Sequence, residues 1–323
     1  MARSPLPDAV TRDALLTGGA PARSPLVSLL VSLRPEQWTK NLIVFAGLLF
    51  SGQLFEPWAL TLTSAAALVF CALSGVVYLL NDVADRDADR RHPLKCRRPI
   101  AAGQLSAAAA LAAVGLLAGC SLVVAFWIRP AFGLVAVLYV SLQAAYSARL
   151  KHVVIVDVLT LALGFVLRAV AGAVVIAVPI SHWLLVCTLL LALFLALSKR
   201  RQELTLLAGG AIQHRRILGE YTPYLLDQMI GVVTASTLIA YIFYTISPET
   251  VEKFGTDLLG FTIPFPLYGI FRYLYLVHQK EGGGSPAAML LNDRPLLGCV
   301  ALWVASVVGI VYRGMLIAYW PWR

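Results

Sequence analysis

Long apolar segments alternate with short polar ones along almost the whole of this 323-residue chain. Each segment is apolar on every face, whereas strands of a membrane barrel would alternate at every second residue, so the pattern predicts helices. A helix needs about 20 residues to cross the hydrocarbon core of a bilayer. The segments that are long enough lie near residues 38–55, 58–81, 104–128, 131–148, 153–178, 182–198, 225–246, 257–277 and 295–319. The pattern therefore predicts an all-α, polytopic membrane protein with about nine transmembrane helices.

The composition excludes the other broad classes of protein. Apolar residues make up 59% of the chain and charged residues 13%, which is about half the roughly 25% of an ordinary soluble domain. Such a chain cannot cover its surface with polar groups, so a soluble globule, a disordered protein and a disulfide-stabilised secreted domain are excluded. The five cysteines show no CxxC or metal-binding spacing.

The net charge of +9 is explained by membrane topology, and we expect no nucleic acid as a partner. If the amino terminus lies in the cytoplasm, the loops on that side hold 20 of the 26 Lys and Arg residues and the loops on the other side hold four. The remaining two, Arg168 and Arg272, fall within helices. This bias is typical of the positive-inside rule. We therefore expect a multi-pass membrane protein with its basic loops in the cytoplasm.

Residues 1–30 contain four prolines among scattered Arg and Ser, and they lack the unbroken apolar core of a signal peptide. We expect a disordered cytoplasmic tail over residues 1–30 and a single transmembrane helical domain over residues 31–323. No convincing sequence repeat divides that domain.

The loop after the second predicted helix reads NDVADRDADRRHPLKCRRPIAAG, from residue 81 to residue 103. Asn81, Asp85 and Asp89 follow one another at intervals of four residues, so they share one face if the helix continues, and Asp82 borders that face. Crowded carboxylates repel each other, and a hard divalent cation such as Mg²⁺ removes that repulsion by binding their oxygens. The spacing predicts a Mg²⁺ site. The alternative is a solvated loop in which Asp and Arg form weak surface ion pairs.

A basic cluster of Lys95, Arg97 and Arg98 follows the acidic residues at once. Mg²⁺ ligands beside Lys and Arg donors form the arrangement that binds a diphosphate, because the metal and the cations neutralise its phosphate oxygens. Positive-inside loop charge would account for only one or two of the three. Tyr78 lies one turn before Asn81, and it either donates its hydroxyl to this site or is an interfacial tyrosine.

Three further segments on the cytoplasmic side carry the same basic character. They are RPEQWTKN with Lys40, YSARLKHVVIVD with Tyr146 and Lys151, and SKRRQEL with Lys199, Arg200 and Glu203. Any one of them is more often a topology signal than a site. Because these three segments lie on the same side of the membrane as the aspartate-rich loop, we expect all four to converge over one opening.

Arg168 stands about ten to fifteen residues into the fifth predicted helix, where an ionisable side chain is costly. It either takes part in function or forms a structural pair inside the bundle, and the sequence does not name its partner.

The stretch NDVADRDAD resembles the first aspartate-rich motif, NDxxDxxxD, of the UbiA-type intramembrane prenyltransferase superfamily. The resemblance implies a helical bundle around a central cavity, open to the cytoplasmic side, in which Mg²⁺ holds a diphosphate. Most members carry a second DxxxD motif after the sixth helix, whereas this chain has KRRQE. Together with RPEQWTKN, AYSARLK and SKRRQEL, the motifs resemble more specifically the decaprenyl-phosphate phosphoribosyltransferase branch, over about residues 30–310.

The resemblance to this branch implies transfer of a 5-phosphoribosyl group from phosphoribosyl pyrophosphate to a polyprenyl (decaprenyl-type) phosphate, with release of pyrophosphate. The product would be a precursor for cell-wall arabinan. This donor and acceptor carry more phosphate than a prenyl diphosphate and its acceptor, which suits Lys199 and Arg200 in place of a second acidic pair. The lipid phosphate is the nucleophile and is largely ionised at pH 7, so no general base is required.

The resemblance also implies a role for each candidate residue. The expected metal ligands are Asn81, Asp82, Asp85 and Asp89. The residues expected to act in catalysis are Asp85, Asp89 and Lys95. The expected substrate-binding residues are Lys40, Tyr78, Lys95, Arg98, Tyr146, Lys151, Lys199, Arg200 and Glu203. The division of the basic residues between donor and acceptor stays open, as does assembly into a homo-oligomer.

Two other functions remain in view at this point. One is an aromatic or glycerol-phosphate prenyltransferase of the same superfamily, in which the diphosphate sits on the prenyl chain. The other is a lipid or anion transporter, in which the polar mouth would be a binding site for transport. No inverted repeat or pair of broken helices favours a transporter.

Overall fold

The computed structural model describes residues 24–92, 95–206, 216–279 and 286–318. Every regular element in these ranges is a helix. The α-helices, numbered in chain order, are α1 Pro25–Ser32, α2 Ala46–Leu49, α3 Pro57–Ala84, α4 Arg86–Arg91, α5 Ala107–Ile128, α6 Pro130–Ala148, α7 Val156–Val175, α8 His182–Leu206, α9 Pro223–Ile246, α10 Pro248–Phe254, α11 Pro264–Gln279, α12 Pro286–Asn292, α13 Arg294–Val311 and α14 Arg313–Ala318. The 3-10 helices are Pro35–Phe45, Lys95–Arg97, Leu150–His152, Arg216–Glu220 and Leu258–Thr262.

The all-α membrane architecture expected from the apolar pattern is confirmed. Seven helices in the described ranges are long and apolar enough to cross a membrane: α3, α5, α6, α7, α8, α9 and α13. The two other predicted spans are helical but broken. Residues 38–55 form most of a 3-10 helix followed by the short α2, and residues 257–277 begin as a 3-10 helix before α11. The predicted count of nine is therefore not confirmed within the described residues.

Helix α8 extends past the end expected from the apolar pattern. The pattern predicts a span that ends near residue 198 and a loop over SKRRQEL. Instead, α8 continues to Leu206 and includes the whole of SKRRQEL. Lys, Arg, Gln and Glu are good helix formers, and Glu203 pairs with Lys199 and Arg200 one turn earlier. The polar end of this helix is therefore stabilised locally although its side chains are not apolar.

The described residues begin inside the range that was predicted as an amino-terminal tail. Helix α1 begins at Pro25, inside the range assigned to the tail, and residues 1–23 lie outside the described residues. The Ser24 side chain caps the helix by accepting a hydrogen bond from the Val27 backbone at 3.3 Å. A serine cap followed by proline at the first helical position is a helix start that the apolar pattern does not reveal.

The chain divides into two compact units. One, called here the aspartate unit, takes the chain through Pro35 and Ala72–Gly119, and the larger unit takes Glu36–Cys71 and the chain from Cys120 onward. The aspartate unit has an apolar core formed by Leu33, Leu79, Ile100, Leu105 and Ala110. The larger unit has apolar clusters around Phe194 and Tyr273 and around Phe50 and Tyr244. A single domain over residues 31–323 stays a prediction.

Within the larger unit, the 3-10 helix Pro35–Phe45 and α2 lie against α7. The backbone carbonyl of Val44 approaches Gly172 so closely that a Cβ at that glycine would overlap it, and a Cβ at Gly47 would meet the backbone nitrogen of Ala173 at 2.8 Å. Glycine is required at both positions because only a residue without a side chain permits this approach.

Candidate active site

The aspartate-rich loop continues the helix that precedes it. The Asp85 backbone donates to the Asn81 carbonyl at 2.9 Å, and the Asp89 backbone donates to the Asp85 carbonyl at 2.8 Å. The helix breaks locally at Asp85, where α3 has ended and α4 has not begun. The helical link between these three residues, on which their predicted common face depends, is therefore present.

The four predicted metal ligands differ in burial, and not in the way that the sequence spacing suggested. Asp82 and Asp89 are buried, at 2% and 3% exposure, whereas Asp85 is exposed and Asn81 is half-buried. The pattern places Asp82 only at the border of the face, yet it is the most deeply buried of the four. Two carboxylates removed from water in one unit require cations close by.

Arg98 supplies one of these cations and joins the two buried carboxylates. Its Nη1 lies 3.1 Å from Asp82 Oδ1 and 2.6 Å from Asp89 Oδ2. The guanidinium reaches this position because the loop that follows it folds back on α3, where Ile100 and Leu105 join the apolar core with Leu79. The acidic motif and the basic cluster are thus in direct contact through Arg98.

Arg34 supplies the other cation, and the sequence analysis missed it. Its Nη2 lies 2.6 Å from Asp82 Oδ1, and its guanidinium stacks 4.6 Å from the centre of the Tyr78 ring. The backbone of Arg34 is left-handed, with φ of 52°, a conformation that is uncommon outside glycine and persists only when contacts hold it. Its position just before Pro35 was the available signal, since the residue before a proline is restricted.

Lys95 begins the 3-10 helix that connects the acidic helix to Arg98. Its backbone donates to Nδ1 of His92 at 3.3 Å, and its side chain is partly buried. Lys95 makes no side-chain ion pair among the described residues of this loop, which exclude residues 93 and 94.

The acidic residues suit Mg²⁺ by their donor chemistry. No group of three or more His, Cys, Asp or Glu side chains is arranged as a metal site within the ranges that the structure covers. Mg²⁺ does not require such a group, because it binds one or two carboxylates and completes its shell with water and substrate phosphates. The buried oxygens of Asp82 and Asp89 already converge on one cationic nitrogen, so the pair fits a cation.

A second polar cluster lies in the larger unit and is centred on Arg200. This side chain is 1% exposed, and its nitrogens lie 3.0 Å from Asp157 Oδ2 and 2.8 Å from Glu203 Oε2. A longer contact of 3.4 Å joins it to the Tyr146 hydroxyl. The structure thus brings Arg200, Glu203 and Tyr146 together.

Asp157, whose carboxylate is buried, is the second residue, after Arg34, that was not among the predicted site residues. The Tyr221 hydroxyl donates to its Oδ1 at 2.8 Å, and the backbone of Ile155, at φ of 68°, donates to the same hydroxyl at 2.8 Å. Burial, with the nearby Asp157, raises the pKa of Tyr221 to about 12, so the hydroxyl keeps its proton at ordinary pH. An aspartate in the first turn of a membrane helix was the signal for this network.

The three candidate lysines of the larger unit are more accessible than Arg200. Lys199 is 41% exposed and lies 3.8 Å from Glu203 Oε1. Lys151 is partly exposed in the 3-10 helix Leu150–His152, five residues after Tyr146. Lys40 is likewise partly exposed in the 3-10 helix Pro35–Phe45. Convergence of these segments with the aspartate unit over one mouth stays a prediction.

Comparisons with known proteins identify the family. The sequence profile of the UbiA prenyltransferase family matches residues 41–294. A decaprenyl-phosphate phosphoribosyltransferase from Mycolicibacterium smegmatis is 32% identical over 321 residues, which cover 94% of this chain and 98% of the relative. A protein of the same name from Mycobacterium tuberculosis is 32% identical over 302 residues, or 91% of this chain and 97% of that protein.

The structural comparison gives the same fold. A UbiA homologue from Archaeoglobus fulgidus, solved with GPP and Mg²⁺, matches with a TM-score of 0.67 at 20% identity, covering 88% of this chain and 99% of the homologue. Both the family profile and the relatives extend over most of the sequence, including the aspartate-rich helix and the Arg200 cluster. The protein is a multi-pass membrane protein and belongs to the UbiA prenyltransferase family.

Proposed function

We propose that this protein transfers a 5-phosphoribosyl group from phosphoribosyl pyrophosphate to a polyprenyl phosphate of the decaprenyl type and releases pyrophosphate. The observation that carries the proposal is the cationic character of the second cluster. Most family members have a second acidic motif there, whereas this chain has Lys199 and the buried Arg200, and the partly exposed Lys151 follows five residues after Tyr146, which contacts Arg200. The names of the relatives support the same reaction.

In this proposal the first acidic motif holds Mg²⁺. Asn81, Asp82, Asp85 and Asp89 would be its protein ligands, and when bound the ion would neutralise the pyrophosphate of the donor. The carboxylates of Asp82 and Asp89 are held in place by Arg98, and Asp82 also by Arg34. These arginines would keep the acidic face ordered, and their charge would prevent it from repelling the phosphates of the donor.

The leaving group is the pyrophosphate. The bond from the ribose C1 to the pyrophosphate oxygen breaks with its electron pair on the oxygen, and an oxygen of the lipid phosphate forms the new bond to C1. Lys40, Lys95 and Arg98 would neutralise the negative charge that grows on the departing oxygen. C1 becomes oxocarbenium-like, as in glycoside cleavage, and Asp85 and Asp89 on the acidic face favour that charge.

The second cluster would hold the remaining phosphates. Lys151 and Lys199 are partly exposed lysines suited to the 5-phosphate of the donor or the phosphate of the acceptor. Arg200 would fix the carboxylate of Glu203 and the hydroxyl of Tyr146, which then orient the bound groups. The lipid phosphate is already largely ionised near pH 7, so none of these residues needs to act as a base.

The orientation follows from the loop charges. We propose that both clusters face the cytoplasm of a bacterial cell, where the water-soluble donor is found, and that the lipid product serves the synthesis of cell-wall arabinan. The 20 to four distribution of Lys and Arg supports this orientation.

The test supplies the purified protein and Mg²⁺ with alternative substrate pairs in parallel. One pair is labelled phosphoribosyl pyrophosphate with polyprenyl phosphate, and the other is prenyl diphosphate with 4-hydroxybenzoate or glycerol phosphate. We expect label in the lipid phase only with the first pair. Prenylation of an acceptor without turnover of phosphoribosyl pyrophosphate would transfer the assignment to the prenyltransferase alternative. Binding without turnover of any pair would favour a transporter.

A further inference from the structure

Arg168 is a buried cation whose partners are now defined. It lies on α7, about 18 Å along the helix axis from its first residue, Val156, and is 6% exposed. Three of its nitrogens donate hydrogen bonds: Nε to Asn41 Oδ1 at 2.7 Å, Nη1 to the Gly164 carbonyl at 3.0 Å and Nη2 to the Tyr139 hydroxyl at 2.7 Å. The side chain is therefore fixed in three directions.

None of these partners carries a negative charge. No carboxylate lies within ion-pair distance of Arg168 in the described part of the chain, and the nearest aromatic faces are those of Tyr139 and Phe165, at 4.8 and 5.2 Å from the guanidinium. A guanidinium at this depth of a membrane helix is costly when neutral groups alone hold it. An arginine that served only to stabilise the bundle would be expected to pair with an acidic residue.

Asn41 links this arginine to a candidate substrate-binding residue. Its side chain is 1% exposed, accepts from Arg168 and donates to Cys71 Sγ at 3.2 Å. Lys40 is the preceding residue on the same 3-10 helix. A buried, doubly bonded asparagine therefore fixes the backbone from which the Lys40 side chain departs.

The 3-10 helix that carries Asn41 also contacts α7 at a second point. The Val44 carbonyl packs on Gly172, one turn after Arg168 on α7. The 3-10 helix is thus held by a hydrogen bond near its middle and by close backbone packing at its end. Loss of the hydrogen bond would release the part that contains Lys40, while the contact of Val44 with Gly172 would remain.

We propose that Arg168 is a positioning residue that acts through Asn41 to hold Lys40 in the orientation in which it binds a phosphate of the donor. This inference rests on the proposed function, because it assigns Lys40 to the phosphoribosyl pyrophosphate side of the reaction. A displacement of about 1 Å in a group that contacts the reacting centre can lower the rate about a hundredfold.

Two matched variants separate this role from general support of the bundle. Asn41→Ala and Tyr139→Phe each remove one hydrogen-bond acceptor from Arg168, but only Asn41 is next to Lys40. We expect Asn41→Ala and Arg168→Met to lower kcat/KM for phosphoribosyl pyrophosphate about a hundredfold with little change in KM for the lipid acceptor. Tyr139→Phe should stay within severalfold of the wild type. Equal losses in Asn41→Ala and Tyr139→Phe would overturn the proposal.

A double-mutant cycle tests the linkage itself. If Arg168 acts through Lys40, then Arg168→Met in a Lys40→Ala background should cost less than about twofold beyond Lys40→Ala alone. Losses that multiply would show that Arg168 acts elsewhere. Should Arg168→Met fail to fold, Asn41→Ala replaces it in the cycle with the same expectation.

A third measurement does not depend on turnover. The rate at which an amine-acylating reagent modifies Lys40, followed by mass spectrometry, should rise in Asn41→Ala and Arg168→Met and not in Tyr139→Phe. An unchanged rate in all three would contradict the positioning role even if the enzyme assay succeeds. If the modification rate of Lys40 rises as expected but the protein does not turn over phosphoribosyl pyrophosphate, the link between Arg168 and Lys40 would stand and the proposed function would be rejected.

Discussion

Lys199 and Arg200 are neighbours of equal charge, and the structure predicts opposite consequences when each is replaced. Arg200 is almost fully enclosed and faces the carboxylate of Asp157, whose side chain has no exposed surface. Replacing Arg200 with Met leaves that carboxylate and part of the charge of Glu203 buried without a cation. Removing one partner of a buried ion pair costs about 3–5 kcal/mol. Lys199 is 41% exposed and its pair with Glu203 spans 3.8 Å, so its loss should cost at most about 1 kcal/mol of stability.

The measurable contrast follows from these magnitudes. In detergent solution, Arg200→Met should lower the thermal unfolding midpoint by roughly 10 °C, whereas Lys199→Met should lower it by no more than about 2–3 °C. The losses of activity should not follow the order of the losses of stability. Lys199→Met should lose about a hundredfold in kcat/KM, equivalent to about 2.7 kcal/mol of transition-state stabilisation, because the proposed function assigns Lys199 to a substrate phosphate.

A paired substitution provides the control. Asp157→Asn combined with Arg200→Met removes both charges of the buried pair, so the double variant should be more stable than the sum of the single losses predicts, by about 0.5–3 kcal/mol. The reasoning would be refuted if Arg200→Met unfolded at the temperature of the wild type while it lost as much rate as Lys199→Met. Arg200 would then contact substrate directly.

Other predictions concern the acidic motif, the packing of α7 and the topology. Arg98→Met should destabilise the aspartate unit and lower kcat/KM for phosphoribosyl pyrophosphate about a hundredfold, because Asp82 and Asp89 lose their shared cation, whereas the surface variant Arg86→Met should stay within twofold in the same kinetic assay. Gly172→Ala should lower the unfolding midpoint sharply, since its Cβ would overlap the Val44 carbonyl, whereas Gly231→Ala, whose Cβ has open space, should be neutral or stabilising; equal midpoints would contradict the close packing. In a cysteine-free background, thiol labels at His92→Cys and Arg149→Cys should react only from the cytoplasmic side and a label at Glu252→Cys only from outside; reaction of His92→Cys and Glu252→Cys from one side would refute the topology.

The parts of the fold that depend on local pattern were predictable from the sequence. Apolar length predicted nine spans, of which seven are long apolar helices in the described ranges, and intervals of four residues predicted the helical link between Asn81, Asp85 and Asp89. Pro264 and Pro266 indicated the break in the eighth predicted span, where a 3-10 helix ends at Thr262 and α11 begins at Pro264. The 3-10 start of the first predicted span was not predicted, because a 3-10 helix and an α-helix have similar composition over a few turns. The extension of α8 through Lys199 and Glu203 was missed because apolar content, rather than helix propensity, defined its end.

The contacts that give the candidate site its electrostatics could not be predicted in this way. Arg168 and Asn41 are 127 residues apart in the chain, and Arg34 and Asp82 are 48 apart. Such pairs are set by the packing of whole helices, which a single sequence does not reveal. The same limit applies to the contacts of Arg200. Its charge suggested a contact with phosphate, but its burial against Asp157 depends on how α7 and α8 pack.

The central claim is that the ribose phosphate, and not a prenyl group, is the group transferred. The most direct measurement follows wild-type protein with Mg²⁺, polyprenyl phosphate and phosphoribosyl pyrophosphate, and determines by mass spectrometry the lipid formed alongside the pyrophosphate released. The account predicts one polyprenyl phosphoribose 5-phosphate for each pyrophosphate, and neither product when either substrate is left out. Prenylation of an aromatic or glycerol-phosphate acceptor from prenyl diphosphate, with no pyrophosphate released from phosphoribosyl pyrophosphate, would contradict it.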